Sequence, residues 1–231
     1  MEYDGRTVAI TGASRGIGAA TARRFAAAGA HVALCARDTE ALASVADTIE
    51  SKGGTATTVR ADVRDEFDVE RFVEVAAREG GGIDVVLAGA GVYHGSPGET
   101  ALEAESYSAF DDHVRTNVRG VFTTIGEALP HLNGGARVLV PSGSIAREAK
   151  AGLGSYAVSK AGAEAVARQF AAEIDHPVGI VDPGQVSTDL TGGVGRDPED
   201  AAEMVLWAAG LADEELNGEV LDLRTWKAAT R

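Results

Sequence analysis

A single cysteine, Cys35, stands in 231 residues, so no disulfide can close within the chain and no cysteine cluster can hold a metal. Cys35 lies in an apolar, strand-like run, where a buried and inert thiol is expected, and no metal site is expected anywhere. Long apolar runs are also missing. The longest, such as Val85-Val86-Leu87-Ala88, fall far short of the roughly 20 residues that a membrane span needs. The opening residues, Met1-Glu2-Tyr3-Asp4-Gly5-Arg6, have neither the basic start nor the apolar stretch of a secretory leader, so a cytoplasmic location is expected. Basic residues are few, 21 against 35 acidic ones, and the net charge of −14 disfavours nucleic acid and anionic membranes as partners. Only Lys52, Lys150, Lys160 and Lys227 are lysines. Acid excess, scarce lysine and many small residues together suggest a halophilic protein, in which high salt screens the self-repulsion of an acidic surface.

What is present begins with Thr7-Val-Ala-Ile-Thr11, a short β-rich run, followed at once by Gly12-Ala-Ser14-Arg15-Gly16-Ile17-Gly18. A helical pattern then runs through Ala20, Thr21, Phe25 and Ala28 and stops at Gly29. Strand, glycine turn and helix make the setting of a dinucleotide-binding turn. The glycines admit a pyrophosphate close to the backbone, and the helix start offers free N–H groups. No Gly-Lys-Ser/Thr follows, which argues against a nucleotide triphosphatase loop. The next strand, His31 to Ala36, ends in Arg37. Where an NAD(H) site has a carboxylate for the ribose hydroxyls, this chain has Ala36 and then Arg37, with Arg15 in the turn nearby. The pair favours NADP(H) over NAD(H). Asp38, next door, is expected to cap the helix that follows.

Further on, helices are expected over 39–52, 67–78, 107–129, from before Tyr156 to about Ile174, and from Pro198 to Gly210. Strands are expected over 55–61, 84–88, 137–141, 178–181 and 219–223. The strands are apolar rather than half-polar and alternate with helices. That pattern indicates an α/β fold, a Rossmann-like doubly wound parallel sheet of about seven strands covered on both faces, in one domain over 1–231.

Tyr156 and Lys160 stand four residues apart in a helical stretch, hence on one helix face. An ammonium beside a phenol favours the phenolate and would lower the tyrosine pKa from about 10 toward neutrality, where it can pass a proton. Asn117 falls on or beside the buried side of its helix and needs partners there. Ser142 and Ser144 follow the fifth strand, where ligands of parallel sheets bind.

Thr11-Gly12-x-x-x-Gly16-x-Gly18, Asp62-Val63, Ala90-Gly91, Asn117, the serine loop, Tyr156-x-x-x-Lys160 and Pro183-Gly184, in this order and at these intervals, resemble the short-chain dehydrogenase/reductase family in its compact form, over about residues 6–224. The resemblance implies a cofactor site made by Gly12, Ser14, Arg15, Gly16, Ile17, Gly18, Arg37, Asp62, Val63, Ala88, Gly89, Ala90, Tyr156, Lys160, Pro183, Gly184, Val186 and Thr188. It implies that Asp62 bonds the adenine amino group, and that Pro183, Gly184, Val186 and Thr188 border the nicotinamide. Its catalytic set would be Asn117, Ser144, Tyr156 and Lys160. Tyr156 would be the general acid/base and Lys160 the ribose ligand. Asn117 would support a water that connects Lys160 to solvent. Ser144-Ile145-Ala146 fits the family context for the serine better than Ser142 does, although the usual spacing to the tyrosine falls on Gly143 between them. A homodimer or homotetramer through 107–129 and 157–174 would be in keeping with the family, as would a small-molecule carbonyl/alcohol substrate.

Three departures stand out. Ala88-Gly89 replaces a pair of asparagines. Only nine residues separate Thr188 from Pro198, where relatives usually carry a longer lid, so an open site is expected. The end reads Leu221-Asp222-Leu223-Arg224 without the usual Asp-Gly-Gly. A non-catalytic NADP(H)-binding redox sensor is the alternative that these departures leave.

Overall fold

The computed structural model describes residues 3–230. Met1, Glu2 and Arg231, which the leader reading and the domain span include, lie outside the described residues. The strands are β1 (Thr7–Thr11), β2 (His31–Ala36), β3 (Thr55–Arg60), β4 (Ile83–Ala88), β5 (Leu132–Pro141), β6 (Val178–Asp182) and β7 (Val220–Asp222). All pair in parallel within one sheet, in the order β3-β2-β1-β4-β5-β6-β7. The expected seven-stranded, Rossmann-like sheet is therefore present.

The helices are α1 (Gly16–Ala27), α2 (Thr39–Glu50), α3 (Glu66–Gly80), α4 (Tyr107–His113), α5 (Gly120–Ala128), α6 (Gly154–Glu173), α7 (Pro198–Ala209), α8 (Asp213–Leu216) and α9 (Leu223–Ala229). Alternate strand residues serve opposite faces of the sheet. Val8 and Ile10 pack with Phe25 of α1, Leu42 of α2 and Met204 of α7. Ala9 and Val86 pack with Phe72 of α3, Ile125 of α5 and Ala163 of α6. Fully burying a side chain such as Phe25 or Phe72 contributes about 1.5–3 kcal/mol, so this two-sided coverage is what holds the apolar inner strands together. Strand order reverses between β1 and β4, and ligands of such sheets bind in the crevice at the carboxyl ends of those strands.

Two expected elements differ in form. The helix over 107–129 is divided: α4 runs into a π-helical turn, Val114–Arg119, before α5 begins. Its apolar stripe also serves two faces. Val121 and Ile125 enter the core, while Phe110 and Phe122 stay 38% and 56% exposed. β5 begins at Leu132 rather than near Arg137, and α9 follows β7 directly, capped by Asp222 accepting from Thr225 N–H at 2.8 Å.

Candidate active site

The glycine turn is shaped by close backbone approach. A Cβ on Gly18 would lie 2.3 Å from Gly12 O, and one on Gly12 would lie 2.7 Å from Ala90 Cα. Gly12 also has φ +71°, which side-chain-bearing residues rarely adopt. Thr11 braces the crevice between the two strands. Its Oγ1 accepts from Gly89 N–H (3.1 Å) and Ala90 N–H (3.3 Å), tying the end of β4 to that of β1.

One cavity of about 690 Å³ runs along this crevice from the glycine turn to Tyr156. It is lined by every residue expected to hold the cofactor, from Gly12 to Thr188, and by Asn117, Tyr156 and Lys160. Ser144 is the exception. It opens a 3-10 turn, Ser144–Ala146, and is exposed, whereas Ser142 lines the cavity. The extended backbone of Gly143 (φ −163°) takes the chain from the wall into that turn. Of the two candidate serines, only Ser142 is on the cavity wall with Tyr156. The Ser142 hydroxyl, however, is donated to Glu164 at 2.7 Å.

Asn117 sits in the π-helical turn with its amide fully used. Oδ1 accepts from Val92 N–H (2.8 Å), and Nδ2 donates to Val92 O (2.9 Å) and Ser159 Oγ (2.8 Å). Ser159 in turn donates to Tyr156 O (2.8 Å), so the amide ties the loop after β4 to the turn of α6 that carries the tyrosine.

The Tyr156–Lys160 electrostatics run opposite to the sequence expectation. Burial, and then the neighbouring Tyr93, pushes the Tyr156 phenol up to about 12. The Lys160 ammonium does not offset this; its Nζ donates to Pro141 O at 2.6 Å. Burial brings Lys160 down to about 8, against the upward pull of Glu164 and Asp182. The tyrosine is a neutral phenol across the physiological range, suited to giving a proton rather than taking one.

At the far end of the cavity Arg37 is exposed and makes no ion pair among the described residues. Arg15 pairs with Asp38 (3.3 Å) and Asp189 (3.1 Å). Asp38 caps α2 as expected, accepting from Ala41 N–H at 3.1 Å. Asp62 meets Arg64 through both carboxylate oxygens, at 2.6 to 3.1 Å. Burial pushes its carboxyl up, but the Arg64 bonds prevail and hold it below the ordinary range. Buried Cys35 is also on the cavity wall, its thiol pushed up by burial, in keeping with an inert role.

The short chain dehydrogenase family matches this chain over residues 6–199. The chain belongs to that family. It is 32% identical, over 99% of its length and 82% of the relative's, to a probable tetrahydroxynaphthalene reductase of Zymoseptoria tritici. It is 31% identical to the glycine betaine reductase ATRR of Emericella nidulans, over 94% of this chain but only 18% of that much longer protein. Among solved structures, a short chain dehydrogenase from Burkholderia cenocepacia in complex with NADP superposes with a TM-score of 0.87, at 29% identity, over 96% of this chain and 97% of that one. Oxidoreduction, the coarse class of the chemistry, comes with the family.

As a short chain dehydrogenase, the chain has residues that fit a dinucleotide. The turn's glycines leave no room for side chains, the cavity is continuous, and among the described residues Arg37 is a cation without an ion-pair partner at its outer end. The loop after Thr188 is a compact turn. Thr188 N–H donates to Thr191 Oγ1 (3.0 Å), and Ser187 N–H donates to Arg196 O (2.7 Å). Asp189, Leu190 and Thr191 of that turn line the cavity.

Val92, Tyr93 and His94, in the loop after β4, line a further stretch of the cavity. Tyr93 stacks on Tyr156 with ring centroids 4.6 Å apart, and its hydroxyl reaches Ser96 O, Thr100 Oγ1 and Gly152 O. His94 is bonded to Asp112 at 2.8 Å and lines the cavity. Beneath them lies fully buried His113. Its Nε2 accepts from His94 N–H, so Nδ1 carries the proton toward Ser155 Oγ (2.6 Å), and that hydroxyl donates to Glu105 (2.6 Å). The only sequence signal for this staple was a histidine inside an apolar stripe.

Proposed function

We propose that this chain is an NADP(H)-dependent oxidoreductase that interconverts a small-molecule carbonyl and an alcohol, with Tyr156 as general acid/base. The observation that carries the reading is that Tyr156, Lys160 and Asn117 share one wall of the cavity that begins at the glycine turn. When bound, the cofactor supplies the hydride. The glycine turn would hold its pyrophosphate and Arg15 and Arg37 its 2′-phosphate. Asp62 and Val63 would border the adenine, and Pro183, Gly184, Val186 and Thr188 the nicotinamide. Tyr156, a neutral phenol at pH 7, gives its proton to the substrate oxygen in the reducing direction. Lys160 would hold the nicotinamide ribose, and Asn117 keeps the loop before Tyr93 and the tyrosine's helical turn in register. Turnover of NADPH with a panel of ketones, aldehydes and quinones tests the reading; NADPH binding with no turnover across the panel would favour a redox-sensing role. The cytoplasm is the proposed setting. No helix among the described residues is long and apolar enough to cross a membrane. A homodimer or homotetramer is proposed through α4, α5 and α6, on which Phe110, Phe122 and Val158 are exposed.

Ser144 is the proposed donor to the substrate oxygen, because the Ser142 hydroxyl is already committed to a buried carboxylate. Removing one such donor costs about 10²–10³ in kcat. Ser144→Ala is therefore expected to lose about a hundredfold in kcat, and Ser142→Ala only a few-fold. Steady-state kinetics of both variants decide the matter, and the reverse order would move the role to Ser142.

Lys160 gives a binding test that needs no substrate. A protonated Lys160 can donate to ribose hydroxyls and adds positive charge near the phosphates. Binding therefore raises its pKa above the value of about 8 in the cofactor-free site. NADPH affinity should be level below pH 8 and fall as pH rises through it. Proton uptake on binding between about pH 8 and 10, read by calorimetry in buffers of different ionisation enthalpy, checks the sign. Proton release there would contradict it.

A further inference from the structure

Arg147 lies just past the serine turn, outside the residues assigned above, and it faces two carboxylates that are nearly inaccessible. Its Nη1 bonds Glu164 and its Nη2 bonds Asp182, whose side chains are 1% and 6% exposed. Each of the three belongs to a different part of the site. Arg147 N–H donates to Ser144 O (2.9 Å), so the arginine belongs to the serine turn. Glu164 lies one helical turn beyond Lys160 on α6 and also accepts from Ser142 Oγ (2.7 Å) and Arg168 (3.3 Å). Asp182 ends β6 and accepts from Gly184 N–H (3.0 Å), fixing the Pro183-Gly184 turn.

We infer that Arg147 is a positioning residue: one guanidinium clamps the serine turn, the Lys160-bearing turn of α6 and the Pro183-Gly184 turn into a single unit. The inference rests on the proposed NADP(H) site, because two of the three clamped pieces are its nicotinamide end. A guanidinium suits the place because its planar fork serves two carboxylates at once, which a single ammonium cannot match. Breaking a buried pair from one side is costly, since it leaves the partner charge uncompensated.

The clamp also sets the charge balance around Lys160. Glu164 and Asp182 reach Lys160 from α6 and β6, and Arg147 and Arg168 neutralise them. Tyr93 and Tyr156 are the titratable groups on the cavity side. His113 and Glu105 meet α6 at Ser155 and satisfy each other there. Loss of the Arg147 charge leaves Lys160 facing carboxylates that are less well neutralised. At an effective dielectric of about 20, one charge a few ångströms away moves a pKa by about one unit or more.

The test is NADPH fluorescence titration from pH 6 to 10, with melting temperatures, on the unmodified protein, Arg147→Met, Arg147→Lys, Glu164→Gln and the double variant Arg147→Met/Glu164→Gln. Arg147→Met should weaken NADPH binding about tenfold at pH 7 and move the pH at which affinity falls upward by about one unit. Arg147→Lys, which keeps the charge without the fork, should weaken binding less than Arg147→Met and leave the pH dependence nearer the unmodified one. Glu164→Gln should move that pH downward, and the double variant should return it toward the unmodified value. A variant that melts earlier but leaves affinity and its pH dependence unchanged would reduce Arg147 to a structural tie and overturn the inference, as would Arg147→Lys failing as badly as Arg147→Met. If Arg147→Met does not fold, the downward shift in Glu164→Gln alone decides. An unmodified protein that binds no NADPH overturns the cofactor reading and the clamp with it.

Discussion

Replacing Tyr156 by phenylalanine is expected to remove turnover almost completely while leaving NADPH affinity within a few-fold. The ring would keep its stack on Tyr93, 4.6 Å away, and its place on α6, so the helix turn shared with Lys160 and Ser159 should hold. What disappears is one proton donor at the substrate oxygen. A positioned general acid contributes about 10²–10⁴-fold, which sets the expected loss in kcat for carbonyl reduction. The protonation state gives the sign of a further effect. A phenol whose pKa is about 12 in the cofactor-free site is protonated throughout the neutral range, so reduction does not wait for a proton to be loaded. Oxidation of the alcohol needs the phenolate and should speed up as pH rises, until the cofactor or the fold fails. Steady-state kinetics in both directions, with NADPH binding followed by fluorescence, check this. A Tyr156→Phe enzyme with more than a tenth of the original kcat would remove Tyr156 from the proton transfer.

The tyrosine also shows where sequence reading reaches its limit. That Tyr156 and Lys160 share a helix face follows from 3.6 residues per turn, and the structure has them on one cavity wall. Where the ammonium points does not follow, because it depends on Pro141 O, a backbone acceptor from another strand. The glycine turn was legible for a different reason. Its glycines are dictated by close backbone approach, since a Cβ on Gly18 or Gly12 would lie 2.3 or 2.7 Å from a backbone atom, so the constraint is written in the sequence itself. The apolar strands were legible because both faces of the sheet are buried. The choice of Ser144 over Ser142 rested on neighbouring residues alone, and which serine faces the cavity depends on the turn that Gly143 opens. The π-helical turn at Asn117 was hidden in an otherwise helical pattern. It is held by bonds to Val92 and Ser159, far apart in the chain. Tyr93 and Arg147 carried no motif, since their tertiary partners lie far along the chain: Gly152 and the Tyr156 ring for Tyr93, Glu164 and Asp182 for Arg147.

Arg37→Asp is expected to reverse the cofactor preference. Arg37 closes β2 at the cavity's outer end, exposed and without an ion pair among the described residues, so its charge is available to a ligand. Arg15 nearby is shared between Asp38 and Asp189, and is the weaker candidate to bind a 2′-phosphate alone. A hydrogen bond to a charged group contributes about 1.5–3 kcal/mol, and the new carboxylate adds repulsion toward the phosphate. NADPH affinity should therefore fall about 10²–10³-fold. NADH carries ribose hydroxyls at that place, which a carboxylate accepts well, so its affinity should rise several-fold. The charge origin of the effect gives a second check. The preference of the unmodified protein for NADPH should shrink as salt rises, because an exposed ion pair is screened, whereas the variant's preference for NADH should hold. Parallel titrations of both cofactors at low and high salt separate these terms. Tighter binding of NADH than NADPH by the unmodified protein would contradict the preference at its source. It would leave Asp38, the carboxylate next to Arg37, as the group that meets the ribose.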